Sequence, residues 1–317
     1  MTVLAYVPNV VVVHPTVVIG PNETHHVGVV QSLFFAWLSG RLPAVFAGGF
    51  DAVAAGDVVD GAMAAAERGR TAIETADGPG APLYYTWGDL ERGTAMLANL
   101  LDSLDLPAGA RVAVQTEKSV EALMLYLAVL RAGHVYLPLN TAYQAAEIEY
   151  FIGNAEPAVV VCAGRSFGWV SKIAFRAGTQ HVFTLDDDRS GSLLARSALQ
   201  SDRHTPVHKA ADDLAAILYT SGTTGRSKGA LLTHGNLLSN ARTLLRHWDW
   251  RHDDCLVHAL PIFHIHGLFV ACHCALLSGT PMRWLDAFQP AAVLKHIADR
   301  SAPQATLFMG VPTMYGR

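Results

Sequence analysis

The chain of 317 residues has little charge, no basic excess and few cysteines, and each shortage excludes a class of protein. Charged residues make up 16% and hydrophobic residues 51%, which is typical of a globular protein and not of a disordered one. The formal net charge of −4 offers no basic surplus for binding nucleic acid or an anionic membrane. The four cysteines, Cys162, Cys255, Cys272 and Cys274, fit no zinc or disulfide spacing, so we expect reduced thiols and a cytoplasmic protein.

Two familiar nucleotide-binding patterns are also missing. No Gly-x-Gly-x-x-Gly segment opens a predicted helix, so a dinucleotide-binding fold has no support. A Walker A loop requires Gly-Lys followed by Ser or Thr, whereas Lys228 lies between Ser227 and Gly229. The spacing therefore excludes a P-loop NTPase.

Residues 1–60 differ in composition from the rest. The apolar stretch 27–50 is long enough to span a membrane, but Arg41 and Pro43 fall near its middle, where charge is costly. No basic segment precedes it, as one would in a signal peptide. The alternatives are a buried strand–helix piece or a wrongly assigned start. We divide the chain into an atypical apolar N-terminal segment, 1–60, and a domain, 61–317.

From residue 111 onward, apolar strands alternate with helices. Strands are predicted at 111–115, 135–139, 158–162, 181–185, 214–219, 255–260 and 305–309, and helices at 117–131, 145–152, 170–176, 236–247, 267–277 and 290–299. This alternation predicts an α/β fold of mainly parallel, doubly wound sub-sheets with helices on both faces. Right-handed crossovers then place the strand C-termini along one edge. We expect residues 201–213 to connect two sub-sheets.

One polar loop carries the strongest functional signal. The apolar strand 215–219 runs directly into Thr220, Ser221, Gly222, Thr223, Thr224, Gly225, Arg226, Ser227, Lys228 and Gly229. The glycines let the backbone turn and expose N–H groups, the hydroxyls add donors, and Arg226 and Lys228 add positive charge. Such convergent donors at the end of a strand predict a site for phosphate oxygens. The alternative is a flexible linker of the same residue types, but a linker does not require the apolar flanks 215–219 and 230–232.

The loop resembles the signature loop of the adenylate-forming superfamily, which contains acyl-CoA synthetases, peptide-synthetase adenylation domains and firefly-type luciferases. Segments 131–139 (RAGHVYLPL) and 261–268 (PIFHIHGL) resemble two further blocks of that superfamily and occur in its order. The resemblance covers about 74–317 and implies the N-terminal domain of an adenylate-forming enzyme. It also implies ATP with Mg²⁺, and CoA as co-substrate.

Within the superfamily, the chain is most similar to malonyl-CoA synthetases, through segments 115–123, 136–143, 263–269 and 309–317. The resemblance implies that Arg317 holds the distal carboxylate of a diacid, that His264 lies beside the reacting carboxylate and the α-phosphate, and that Ile265 lies near the substrate α-carbon. A forked cation suits a buried carboxylate. Without the resemblance, Arg317 is an exposed terminal residue and His264 a core histidine. A different short-chain acyl-CoA synthetase is an alternative that the sequence leaves open.

The implied reaction has two halves, acyl-adenylate formation from ATP and transfer of the acyl group to CoA. Lys228 and the loop donors then stabilise charge on the phosphates, and His264 acts at the reacting carboxylate. The superfamily's later Mg-linked, ribose-binding and C-terminal elements have no counterpart in this sequence. We therefore expect an incomplete and inactive part of a ligase, or a fragment that only binds phosphate. We expect no protein-borne metal ligand in this chain, no nucleic-acid partner and no membrane partner.

Overall fold

The structure is a computed structural model that describes residues 11–13, 68–75, 81–220, 226–251, 253–301 and 303–315. The predicted N-terminal segment therefore lies outside the described residues, apart from Val11–Val13. Residues 221–225 of the predicted phosphate loop and Arg317 also lie outside them. The division of the chain after residue 60 stays a prediction.

One sheet of six strands, here called sheet I, has the order β7-β6-β4-β5-β8-β9. Its strands are β4 (Arg111–Gln115), β5 (Val135–Pro138), β6 (Val159–Cys162), β7 (His181–Thr184), β8 (Leu214–Thr220) and β9 (Lys228–Thr233). Neighbouring strands are parallel except for the antiparallel hairpin of β8 and β9. Strands β4, β5 and β6 are buried almost throughout, which explains the apolar sequences of β5 and β6 and the apolar centre of β4 at 112–114.

The second sheet, sheet II, has the order β1-β12-β10-β11-β2-β3. Its strands are β1 (Val11–Val13), β2 (Thr71–Thr75), β3 (Tyr84–Thr86), β10 (Leu256–His258), β11 (Met282–Trp284) and β12 (Leu307–Met309). They are parallel except for the pair β2 and β3. The predicted α/β fold with two mainly parallel sub-sheets is confirmed.

The six predicted helical segments are helical with shifted ends, and the structure adds helices at Trp87–Asp102, Ser192–Ser197 and Pro312–Tyr315. The helices are α1 (Trp87–Asp102), α2 (Val120–Arg131), α3 (Ala145–Ala155), α4 (Phe167–Arg176), α5 (Ser192–Ser197), α6 (His234–His247), α7 (His273–Ser278), α8 (Pro290–Ala298) and α9 (Pro312–Tyr315), with a 3₁₀ turn at Gly164–Ser166 and a π-helix at His266–Cys272. Helix α2 begins at Val120 and not at 117, because Ser119 caps it by accepting a hydrogen bond from the Ala122 N–H. None of the described helices is long and apolar enough to cross a membrane.

The predicted connection between the sub-sheets was placed wrongly. Residues 201–213 join α5 to β8, and both β7 and β8 belong to sheet I. The chain passes from sheet II to sheet I after β3, and it returns to sheet II after β9, through α6. Strand order is set by tertiary packing, so a polar stretch between two strands does not reveal whether the strands share a sheet.

Helix α2 is the structural centre, since all of its residues are buried. The ring of Tyr126 lies 4.9 Å from that of Tyr136 on β5 and 5.6 Å from that of Phe269 in the π-helix, measured between centroids. Its hydroxyl lies 2.7 Å from Nε2 of His273. Burial of a side chain of this size contributes about 1.5–3 kcal/mol to the free energy of folding. The contacts of Tyr126 therefore hold α2 and β5 against the π-helix and α7.

Lys118 aligns the carboxyl ends of strands from both sheets. It lies between β4 and α2, and its ammonium donates to the carbonyls of His258 (2.8 Å) and Leu285 (2.5 Å), at the ends of β10 and β11. The same ammonium lies 4.3 Å from the centroid of the Trp284 ring, within the range of a cation–π contact. The two sheets therefore present their carboxyl edges side by side.

Candidate functional site

A cavity of about 110 Å³ opens where the carboxyl ends of β5 and β8 meet the loop after β10. It is lined by Pro138, Asn140, Tyr143, Leu218, Tyr219, Thr220, Phe263, His264 and Ile265. These residues belong to, or directly follow, the three sequence segments singled out above. Ligands of open α/β sheets bind outside the carboxyl ends of the strands, and this cavity has that position.

The polar loop closes the hairpin of β8 and β9. Thr220 is the register partner of Lys228, and Tyr219 is the partner of Gly229. The predicted placement of a loop between two strands is therefore correct, although the strands extend further into it than expected. Thr220, Arg226 and Lys228 are exposed. No ion pair among the described residues involves either cation, so both are available to an anion near the loop.

His264 lies in the cavity wall as a neutral hydrogen-bond donor. Its Nδ1 accepts a hydrogen bond from the backbone N–H of His266 at 3.4 Å. The proton of the neutral ring therefore resides on Nε2, which can donate. His264 is exposed to solvent, yet desolvation by the surrounding protein lowers its pKa below the usual value, which favours the neutral ring at pH 7. Burial and the nearby His264 lower the pKa of His266 to about 4.

The segment after His264 is held by a close backbone approach. A Cβ on Gly267 would lie 2.2 Å from the carbonyl oxygen of Pro261, so only glycine fits at this position. Gly267 is the second residue of the π-helix, a rare element that is frequent at functional sites. Nε2 of His258 lies 2.9 Å from the Gly267 carbonyl oxygen, and the tautomer with a proton on Nε2 donates to it. These contacts fix the part of the cavity wall that carries His264 and Ile265.

The turn after β5 supplies two lining residues that sequence reasoning did not single out, Asn140 and Tyr143. The buried amide of Gln115, at the end of β4, donates to the backbone carbonyls of both residues at 3.0 Å. The available signal was positional, because polar residues that directly follow a buried parallel strand lie at the carboxyl edge of the sheet.

The predicted site residues are thus brought together only in part. Thr220, His264 and Ile265 share the cavity. Arg226 and Lys228 lie at the base of the hairpin loop and do not line the cavity. The remaining predicted residues, Ser221, Gly222, Thr223, Thr224, Gly225 and Arg317, lie outside the described residues. Within the described part of the chain, no group of three or more His, Cys, Asp or Glu side chains could hold a metal ion.

The fold is that of an α/β protein with two mainly parallel sheets and a cavity at their carboxyl edges, and it matches the N-terminal domain of adenylate-forming enzymes. The chain belongs to the AMP-binding enzyme family, which matches residues 62–317.

Three relatives illustrate the range of similar proteins. The ATP-bound crystal structure of MatB from Rhodopseudomonas palustris is 46% identical with a TM-score of 0.76, covering 83% of this chain and 50% of MatB. The mitochondrial malonate–CoA ligase of Xenopus laevis is 34% identical over 191 residues, covering 60% of this chain and 32% of the ligase. The feruloyl-CoA synthase of Amycolatopsis sp is 32% identical over 234 residues, covering 73% of this chain and 44% of the synthase. The chain thus spans half of the length of MatB and less than half of the two curated relatives.

Proposed function

We propose that this chain is the ATP-binding part of an acid–thiol ligase that activates malonate as an acyl-adenylate and transfers it to CoA. The observation that carries the proposal is the convergence of three separate segments, which contribute Pro138, Thr220 and His264, on one cavity. Similarity to malonate–CoA ligases of animals and of Arabidopsis thaliana supports the choice of acid.

The described lining of the cavity suits an anion. It contains the hydroxyl of Thr220, the neutral imidazole of His264 and the amide of Asn140, and no carboxylate. Arg226 and Lys228 add two positive charges at the base of the loop. Preorganised donors and cations of this kind stabilise phosphate oxygens most strongly where charge builds up during the reaction.

In the first half-reaction, a carboxylate oxygen of the acid bonds to the α-phosphorus of ATP while the bond from that phosphorus to pyrophosphate breaks. We assign the stabilisation of the departing pyrophosphate to Lys228, Arg226 and the donors of Thr220 and residues 221–225. The Mg²⁺ expected with ATP would neutralise part of the phosphate charge, and we assign it no ligand among the described residues.

His264 is assigned to the reacting carboxylate. Its Nε2–H donates to an oxygen of the carboxylate or of the α-phosphate and holds the two reactants together. Its lowered pKa makes the neutral ring a weak base, so we assign His264 the role of a donor and not that of a general base. In the second half-reaction, the thiolate of CoA bonds to the acyl carbon and AMP leaves. Arg317 is assigned to the distal carboxylate of malonate, and Ile265 to the contact with its α-carbon.

A second candidate acid is an aromatic one, since a feruloyl-CoA synthase is among the relatives. Malonate–CoA ligases of animals and of Arabidopsis thaliana are also among the relatives, which supports malonate over ferulate.

The test has two stages. ATP binding to the 317-residue chain is measured by isothermal titration calorimetry, and absence of binding would contradict the proposal. Acyl-adenylate formation is then measured by ATP–pyrophosphate exchange with malonate, acetate and ferulate, in the longest form of the protein that its gene encodes. We expect exchange to depend most strongly on malonate, and His264→Ala to lower it at least about tenfold, since loss of one preorganised donor is costly. The exposed residue His247 provides the matched control, His247→Ala.

A further inference from the structure

Both ends of the phosphate loop are attached to one helix, α3. At the entry to the loop, the hydroxyl of Tyr219 donates to Oδ1 of Asn154 at 2.5 Å. The ring of Tyr219 also packs on that of Phe151, with 4.5 Å between centroids. The last strand residues before the loop are therefore fixed to α3 by a polar contact and an apolar one.

The exit of the loop is attached to the same helix. The hydroxyl of Tyr150 donates to the backbone carbonyl of Ser227 at 2.7 Å. The guanidinium carbon of Arg226 lies 5.8 Å from the centroid of the Tyr150 ring, within the range of a cation–π contact. Tyr150 thus holds the backbone and a charged side chain of the loop together.

Helix α3 is suited to act as a fixed frame. Its residues Ile148, Phe151, Ile152 and Ala155 are buried, so the helix is anchored to the core of sheet I. Tyr150 and Asn154 are four residues apart and therefore lie on one face of the helix. Neither polar contact is needed to satisfy a buried group, because Asn154 is exposed and Tyr150 is only partly buried.

The glycines in the sequence of the loop make its ordering costly. Gly222 and Gly225 lie between the two attachment points and lose more conformational entropy on ordering than any other residue type. A loop that stabilises developing charge acts best when its donors are already oriented before the reaction. An attachment at each end reduces the conformational freedom that the loop must lose when it binds phosphate.

We propose that Tyr150 and Asn154 are positioning residues that hold the phosphate loop from α3. The expected effect on ATP affinity rests on the proposed function. The attachment of the loop to α3 does not depend on the ligand, so the attachment and the proposed function can fail separately.

The experiment compares the wild-type chain with Tyr150→Phe, Asn154→Leu and the conservative Asn154→Asp, which retains an acceptor for the Tyr219 hydroxyl. Tyr84→Phe removes an exposed hydroxyl on β3 and is the matched control. Hydrogen–deuterium exchange of the peptide that spans residues 220–229 reports on the order of the loop without any ligand. Calorimetric titration with ATP reports on its binding, and the thermal unfolding midpoint reports on the fold.

Loss of one hydrogen bond at the loop should speed exchange of its amides and weaken ATP affinity, each by about twofold to tenfold. The unfolding midpoint should not change, Asn154→Asp should recover part of the loss, and Tyr84→Phe should match the wild type. Unchanged loop exchange in both Tyr150→Phe and Asn154→Leu overturns the inference. Faster loop exchange in a chain that does not bind ATP supports the attachment and contradicts the proposed function.

Discussion

Thr220 and Lys228 lie opposite each other across the hairpin of β8 and β9. The last hydroxyl of the strand and the lysine of the loop therefore stand side by side at the carboxyl edge of sheet I. Both residues are exposed. A cation in this position contributes little to packing, which allows its role in binding to be separated from its role in folding.

Lys228→Ala should weaken ATP binding without destabilising the protein. A hydrogen bond to a charged group contributes about 1.5–3 kcal/mol, which corresponds to a roughly tenfold to hundredfold rise in the dissociation constant. An exposed substitution changes the free energy of unfolding by less than about 0.5 kcal/mol. Calorimetric titration and urea unfolding measure the two effects. The control is Lys172→Ala, which removes an exposed lysine on α4. Equal ATP affinity in the two variants would contradict the assignment of Lys228 to phosphate binding.

Gly267→Ala should destabilise the wall of the cavity. The new Cβ would lie 2.2 Å from the Pro261 carbonyl oxygen, and the backbone must shift to relieve that contact. Overpacking of this kind costs about 1–3 kcal/mol, measured as the free energy of unfolding in urea. Gly168→Ala, on α4, is the matched control because a Cβ there meets nothing within 4 Å. Equal stability of the two variants would contradict the prediction, because the backbone near Pro261 would then accommodate the new Cβ at no cost.

The elements that the sequence predicted well are those with an unambiguous apolar pattern. Strand β6 is a continuous apolar run, β4 has an apolar centre at 112–114, and α2 is a long, mostly apolar helix, so their types follow directly from the residues. Helix α1 was missed even though a readable signal precedes it. Thr86 and Asp89 form a capping box at its start, but the prediction of regular alternation began only at residue 111.

Features that depend on long-range packing could not be predicted from the sequence. Residues 267–277 were expected to form one helix, whereas the chain forms a π-helix to Cys272 and an α-helix from His273. No residue pattern signals this change, which arises where Gly267 packs against the Pro261 carbonyl. The meeting of Pro138, Thr220 and His264 in one cavity likewise follows from strand order, which periodicity does not encode.

Stability should fall as the pH falls from about 6.5 toward 4. Burial and the nearby Lys209 lower the pKa of His234 to about 4, and burial lowers that of His273 to about 4. Free histidine titrates near 6.5. In this window the unfolded chain therefore binds protons that the folded chain does not, and the folded state loses up to about 1.4 kcal/mol per pH unit for each such histidine. Above pH 7 this contribution to stability is fully present.

The test of this pH dependence uses two histidines of the same helix, α6. His234 is buried at its start, and His247 is exposed at its end. Between pH 6 and 5, His234→Gln should reduce the slope of the unfolding free energy against pH by close to 1.4 kcal/mol per pH unit, which corresponds to about one proton. His247→Gln should leave the slope unchanged. Urea unfolding at several pH values provides the slope. The same slope in His234→Gln as in the wild type would contradict the assignment to His234.

Selection of a diacid is predicted to depend on Arg317. Malonate keeps one ionised carboxylate after the other has reacted, and a buried carboxylate requires a cationic partner. Acetate has no second charge, so an arginine facing it would be left without a partner, at a cost of about 3–5 kcal/mol. At about 1.4 kcal/mol per factor of ten, this corresponds to roughly two to three and a half orders of magnitude in discrimination. Arg317→Leu should therefore lower kcat/KM for malonate steeply and leave that for acetate unchanged or raised.

Arg317→Lys should recover only part of the activity with malonate. A lysine restores the positive charge, but its ammonium lacks the planar fork that binds both carboxylate oxygens at once. The measurement is kcat/KM for malonate and acetate in the wild type and the two variants, made in the longest form of the protein that its gene encodes. A structural role for Arg317 predicts instead that both acids lose activity together in Arg317→Leu. In that case the assignment of malonate would rest on the similarity to malonate–CoA ligases alone, because no other residue has been assigned to the second carboxylate.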